Sequence, residues 1–436
     1  MTALTTLGLV GMGGLVTSHG VGMAVPDWPT SYGYNMFALP ISTWLTGGIF
    51  HEHTHRLWAS FVGVLVVALT RWLGGRAACF PLLIIGAVEI LMGISLLQLG
   101  VDWKGAGHFL AGIGGVVLLG GLVWFSNAPL TALANFAKAM SVKWAWFGGF
   151  AAKLARFAET TNVKLAWLNN APAVKPLPVL GWAAFWLVQL QGLLGGLRVV
   201  LDAHVLADVR LGTAFGIFHG CLGQAFLVLT AVIALMTSRW WQSQSARGLV
   251  GGGDDGVVQR WFLVATGLIS LQLLIAATMR HQHAGLAIPD FPLAYGRIWP
   301  DMSEAAVAKY NLLRVEVTSV HPITAFQIVL QLVHRIVAVL ITVAVAVCLV
   351  KSDRGTPLRR VASGWLGLIL IQIALGAWTI WSNKAADVAT AHVVVGALSL
   401  VTGALACLIS FRRFTGNVPS PAVALAQTAV ANRGSV

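Results

Sequence analysis

Apolar windows of about twenty residues, nearly free of charge, recur along the whole chain. That length is what a helix needs to cross the hydrocarbon of a bilayer. The windows predict ten membrane helices, at roughly 3–17, 48–70, 78–99, 107–125, 178–199, 211–236, 260–279, 326–350, 361–382 and 390–411. The first begins without a basic lead segment and reads as a slightly short helix rather than a signal peptide. Basic residues fall in alternate loops. Arg71 and Arg76 follow the second window, and Lys138, Lys143, Lys153, Arg156, Lys164 and Lys175 follow the fourth. Arg239, Arg247 and Arg260 flank the next such turn, Lys351, Arg354, Arg359 and Arg360 follow the eighth window, and Arg412 and Arg413 follow the last. With ten spans these cations share one side, which the positive-inside rule makes cytoplasmic, together with both termini. The expected location is the inner (cytoplasmic) membrane of the cell. The opposite loops mix signs: Asp27; Asp102 and Lys104; Asp202, Asp208 and Arg210; Lys384 and Asp387.

The polar stretches between windows contain a repeat. Gly22-Met23-Ala24-Val25-Pro26-Asp27-Trp28-Pro29-Thr30-Ser31-Tyr32-Gly33 matches Gly285-Leu286-Ala287-Ile288-Pro289-Asp290-Phe291-Pro292-Leu293-Ala294-Tyr295-Gly296 at seven of twelve positions. Each stretch precedes a helix carrying a histidine-arginine pair, His55-Arg56 and His334-Arg335. Further on, Gln191-Gly192-Leu193-Leu194-Gly195 resembles Gln372-Ile373-Ala374-Leu375-Gly376, and each is followed by a helix with an early histidine, His219 or His392, and a glycine four residues later. The expected fold is therefore all-α and polytopic: two pseudo-symmetric four-helix bundles plus an inserted helix pair. The first half takes residues 1–250, interrupted at 72–177 by the inserted hairpin and a basic connector; the second takes 257–413; residues 414–436 read as a disordered cytoplasmic tail.

Composition agrees with a bilayer. Hydrophobic residues make up 57% and charged residues 10%, against about 25% charged in soluble domains. The net charge of +13 is spread over alternate loops, so a nucleic-acid partner is not expected. Cys79, Cys221, Cys348 and Cys407 lie in or beside apolar windows without paired spacing and read as packing residues. The stretch 127–177 is rich in lysine with Trp144, Trp146 and Trp167 interleaved. It fits either a surface helix on anionic lipid or a solvated connector.

Ionisable groups at membrane depth are costly and usually functional. Four histidines on four helices, two per half, suit the two axial positions of a haem iron in each bundle. The pairs would be His55 with His219 and His334 with His392, with Arg56 and Arg335 as candidates for the haem propionates. His108, on the inserted pair, is an alternative ligand. Glu52 precedes His55 by one helical turn, whereas the second half has Gln331 at that place. A carboxylate can take a proton and a neutral amide cannot, so one half is suited to chemistry and the other to electron relay. A competing pattern, His51-Glu52-x-x-His55, matches the helix of zinc proteases, but the second half has no counterpart to it.

These residues resemble the haem A synthase family. The resemblance rests on Pro26-Asp27-Trp28-Pro29, Glu52-x-x-His55-Arg56, the run from Gln191 to Arg198, His219-Gly220-Cys221-Leu222-Gly223-Gln224, His334-Arg335 and Ala391-His392, and it covers about three-quarters of the chain. It implies oxidation of the C8 methyl of haem O to a formyl group by successive O2-dependent hydroxylations, for cytochrome oxidase. The first half would hold the substrate haem between His55 and His219 with Glu52 as catalytic residue. The second would hold a haem b cofactor between His334 and His392, with no separate metal site. Implied partners are haem O, O2, membrane lipid, an electron donor, and haem O synthase or other oxidase assembly proteins. Two features depart from the family pattern: residues 18–47 and 281–325 lack the cysteine pair of some bacterial members, and the family plan has eight helices rather than ten. The alternatives are a non-catalytic di-haem electron carrier and an intramembrane zinc protease.

Overall fold

The computed structural model describes residues 1–98, 104–125, 176–206, 209–247, 256–313 and 322–411. The body of the basic connector and the tail at 414–436 lie outside the described residues. Helices occupy all ten expected windows: α1 Thr2–Ser18, α3 Gly47–Gly74, α4 Cys79–Gln98, α5 Lys104–Phe125, α6 Leu177–Val200, α7 Leu211–Thr237, α9 Val257–His281, α11 Ala325–Lys351, α12 Pro357–Trp381 and α13 Ala386–Phe411. Short helices α2 Ile41–Trp44, α8 Arg239–Arg247 and α10 Glu304–Leu312 lie between them, with one two-stranded turn, β1 Val205–Leu206 and β2 Val209–Arg210. Seven helices (α3, α6, α7, α9, α11, α12 and α13) are long and apolar enough to span a bilayer. The protein is a multi-pass membrane protein.

Local chemistry sets where the helices begin. Thr324 and Gln327 cap each other's backbone N–H groups at the start of α11. Thr356 caps α12 and Pro357 takes its first position, where a missing N–H costs nothing. Hydroxyls inside the helices return to their own backbone, as Thr6 to Thr2 O and Thr17 to Gly13 O, both at 2.8 Å. This leaves neither hydroxyl a bare donor in an apolar setting.

The helices pack in two closed rings. In one, α1 packs on α3, α3 on α6, α6 on α7 and α7 on α1; in the other, α9 packs on α11, α11 on α12, α12 on α13 and α13 on α9. The rings meet through α1 against α13, α9 against α7, and α7 against α13. The hairpin of α4 and α5 packs chiefly on itself and touches α3 through α5. Its backbones approach so closely that a Cβ at Gly86 would lie 2.6 Å from Gly114 O, and one at Gly93 would lie 2.5 Å from Gly107 O. Small residues permit this contact where no hydrophobic force drives helices together.

Each ring is plugged at one end. Val62, Val66, Leu73, Leu177, Phe185, Phe226 and Ile233 fill the first, and Phe262, Ala265, Val345, Trp365, Ile369 and Leu400 fill the second. All four predicted ligand histidines sit toward the other end, beneath the two repeated loops.

Candidate haem-binding site

The loops explain how the site is held. In the first, the Asp27 carboxylate accepts the N–H groups of Tyr32 at 2.7 Å and Gly33 at 2.9 Å; in the second, Asp290 accepts those of Tyr295 at 2.7 Å and Gly296 at 2.8 Å. Tyr32 and Tyr295 are left-handed, with φ of 53° and 52°, and the glycines that follow have φ of 75° and 74°. Each tyrosine hydroxyl donates to a carbonyl eight residues earlier, Ala24 or Ala287. Partial burial would raise the pKa of Asp27, but the donors Gly33, Thr30 and Tyr32 outweigh it and hold the carboxyl below its ordinary 3.8.

Both loops are latched to the helix that follows them. The Val25 N–H donates to Glu52 Oε2 at 2.8 Å, and the Ile288 N–H donates to Gln331 Oε1 at 2.6 Å. Arg56 donates to the carbonyls of Asp27, Thr30 and Val25 at 2.7, 3.1 and 2.8 Å, and to Glu52 Oε1 at 2.6 Å. Arg335 donates to the carbonyls of Leu293 and Asp290 at 2.8 and 2.7 Å and lies over the Phe291 ring. The two arginines beside the histidines therefore point into loop backbone. Glu52 is 4% exposed, and each of its oxygens accepts a hydrogen bond.

The imidazoles lie inside the rings. His334 and His392 have ring centres 6.4 Å apart. A metal bond of about 2 Å to a nitrogen of each ring would set the centres roughly 6 Å apart. His219 Nδ1 is 3.2 Å from Gln191 O, and His392 Nδ1 is 3.1 Å from Gln372 O. An Nδ1–H donated to those carbonyls leaves each Nε2 lone pair free for a metal. His55 and His219 are near enough to interact electrostatically. Nδ1 of both His55 and His334 is buried without a hydrogen-bond partner, as are Gln191 Nε2 and Gln372 Oε1. Glycines make room for three of the rings: a Cβ at Gly13, Gly195 or Gly376 would lie 3.2, 3.3 or 3.2 Å from Cε1 of His55, His219 or His392. Bis-imidazole ligation fits this donor set.

The remaining candidates fall elsewhere. His51 stacks on His19 at 4.7 Å, while His55 turns to Gly13, so the two histidines of the protease pattern have different surroundings. Among the described residues, no three or more His, Cys, Asp or Glu side chains gather as a metal site. His53 is buried against Ser31 and Trp44. His108 is on α5, and its side chain is not among those described. Sequence reasoning gave no role to Gln272, which donates to His334 O at 2.8 Å, or to Arg198 and Arg280. Both arginines stand at the loop ends of apolar windows, and a cation at that depth was the available signal.

A search of curated proteins finds none that matches this chain. The sequence model of the COX15-CtaA family, described as cytochrome oxidase assembly protein, matches residues 160–404. That span runs from α6 into α13, with His219, His334 and His392, and does not reach Glu52, His55 and Arg56. It is more than half of the sequence, and the chain belongs to the COX15-CtaA family of cytochrome oxidase assembly proteins.

Proposed function

We propose that this protein is a haem A synthase of the inner membrane, oxidising the C8 methyl of substrate haem O to a formyl group with O2 and an electron donor. The observation that carries the reading is the His334–His392 pair at 6.4 Å, whose Nδ1-to-carbonyl contact recurs at His219. In this reading His334 and His392 hold a haem b, which supplies one-electron transfer when bound. His55 and His219 hold the substrate beneath the first loop. Glu52 stands one turn from His55, and its carboxylate is kept in place by Arg56 and the Val25 N–H. In this reading Glu52 would serve as the proton acceptor of the first chamber. Gln331 keeps the same loop contact without a proton-accepting group.

Two measurements test the proposal. Reduced-minus-oxidised spectra of the purified protein should show a low-spin haem. Incubation with haem O, a reductant and O2 should convert the pigment to its formyl form. A haem spectrum with haem O left unchanged would leave an electron carrier; no haem bands at all would remove the haem reading.

A further inference from the structure

Two partly buried cations, Arg198 and Arg280, stand at the junction of the halves. Arg198 ends α6 on the loop side, where a Cβ at Gly22 would lie 2.5 Å from its Nη2. Among the described residues its guanidinium donates no hydrogen bond, and Glu52 and Asp202 are the acids that act on it. Glu52 is already paired with Arg56 at 2.6 Å. Arg280 ends α9 in the other half and crosses to α1, donating to Gly14 O at 2.8 Å and Ser18 Oγ at 2.7 Å. The His281 ring packs against Gly216, one turn before His219. Arg198 acts electrostatically on His55, His219, His281 and Arg280, and Arg280 acts on His392. Cations gathered at membrane depth with so little acid beside them call for an anion. Arg56 and Arg335 are engaged by loop carbonyls, and Arg280 by Gly14 O and Ser18 Oγ, whereas Arg198 donates to none of these.

We infer that Arg198 and Arg280 form a shared seat for the carboxylates of the two porphyrins, Arg198 on the side of the His55–His219 chamber and Arg280 toward His392. The inference rests on the haem reading above and deepens it. It assigns carboxylate recognition to the junction between the halves rather than to the His-Arg pairs.

The test compares two probes on the full chain purified from cells that make no haem: iron protoporphyrin IX and its dimethyl ester, which lacks the charges. The wild type should bind the free acid about tenfold or more tightly than the ester, the effect of losing a charge-assisted hydrogen bond. Arg198→Gln with Arg280→Gln should lose that preference and leave ester binding unchanged. Arg198→Lys with Arg280→Lys should restore part of it, which separates charge recognition from damage to the fold. Equal binding of both probes by the wild type would overturn the seat and leave the haem reading intact. The same holds for a Gln pair that keeps the wild-type preference, or for one that loses only co-purified anionic lipid. Failure of both probes to bind wild type would overturn the haem reading and the seat with it.

Discussion

At the scale of single residues, the contrast between Glu52 and Gln331 is sharper than their identities suggest. Both accept the same loop N–H, so the carboxylate is not needed for that contact. Glu52→Gln should therefore keep the loop and the bound haem while haem O turnover falls about a hundredfold or more, the scale of a lost proton acceptor. Unchanged turnover in that variant would leave Glu52 a purely structural role. The four histidines and Glu52 could be picked out as candidates in the sequence because ionisable groups stand out in apolar windows. The direction of Arg56 was not. A residue one step along a helix from His55 points about 100° away from it, and the loop carbonyls waiting there belong to residues some thirty positions earlier. The ligand assignment has its own check. His392→Ala should abolish the low-spin spectrum of the resident haem, whereas His219→Ala should spare it and weaken only haem O binding. Loss of the resident spectrum in both variants, or in neither, would overturn the assignment, and its loss in His219→Ala alone would reverse it.

At the scale of elements, helix positions followed from hydropathy to within a few residues, because a span must hide its backbone and has about twenty residues in which to do so. The main shifts are four residues each, early at the starts of α12 and α13 and late at the end of α3. At α12 the cap of Thr356 and the proline after it decide the boundary rather than apolarity. The repeated loops were legible as sequence, but their function as clamps over the helix ends needed coordinates. Asp27 organises one clamp through backbone donors that hold its carboxyl below 3.8. A depressed folded pKa adds stability above the unfolded value, and that stability disappears as the pH falls through the folded one. The stability gap between wild type and Asp27→Asn should thus be constant from pH 5 to 8 and shrink below about pH 4. Thermal unfolding in detergent measures it, and a gap that stays flat into acid would exclude this account.

At the scale of the molecule, the two rings are joined by contacts that the sequence could not announce, since they link residues hundreds of positions apart. Ser18 receives Arg280 from α9 at 2.7 Å and Thr390 from α13 at 3.3 Å, and a Cβ at Gly14 would already lie 3.1 Å from Thr390 Cγ2. Gly14→Ile should push α1 from α13 and lower stability by about 1–3 kcal/mol, the usual cost of overpacking. An unfolding midpoint unchanged by Gly14→Ile would show that α1 and α13 are free to separate there.

The apolar plugs that close one end of both rings bear on energy conversion. Among the described residues the plugs are largely packed hydrocarbon, so the protons of the proposed reaction should be exchanged with the water on the loop face. Turnover in sealed vesicles should then change the pH of that compartment alone and build no gradient across the bilayer. A gradient sensitive to uncouplers, appearing with haem O oxidation, would require a conduit past Trp365 or Phe185 and would overturn this account.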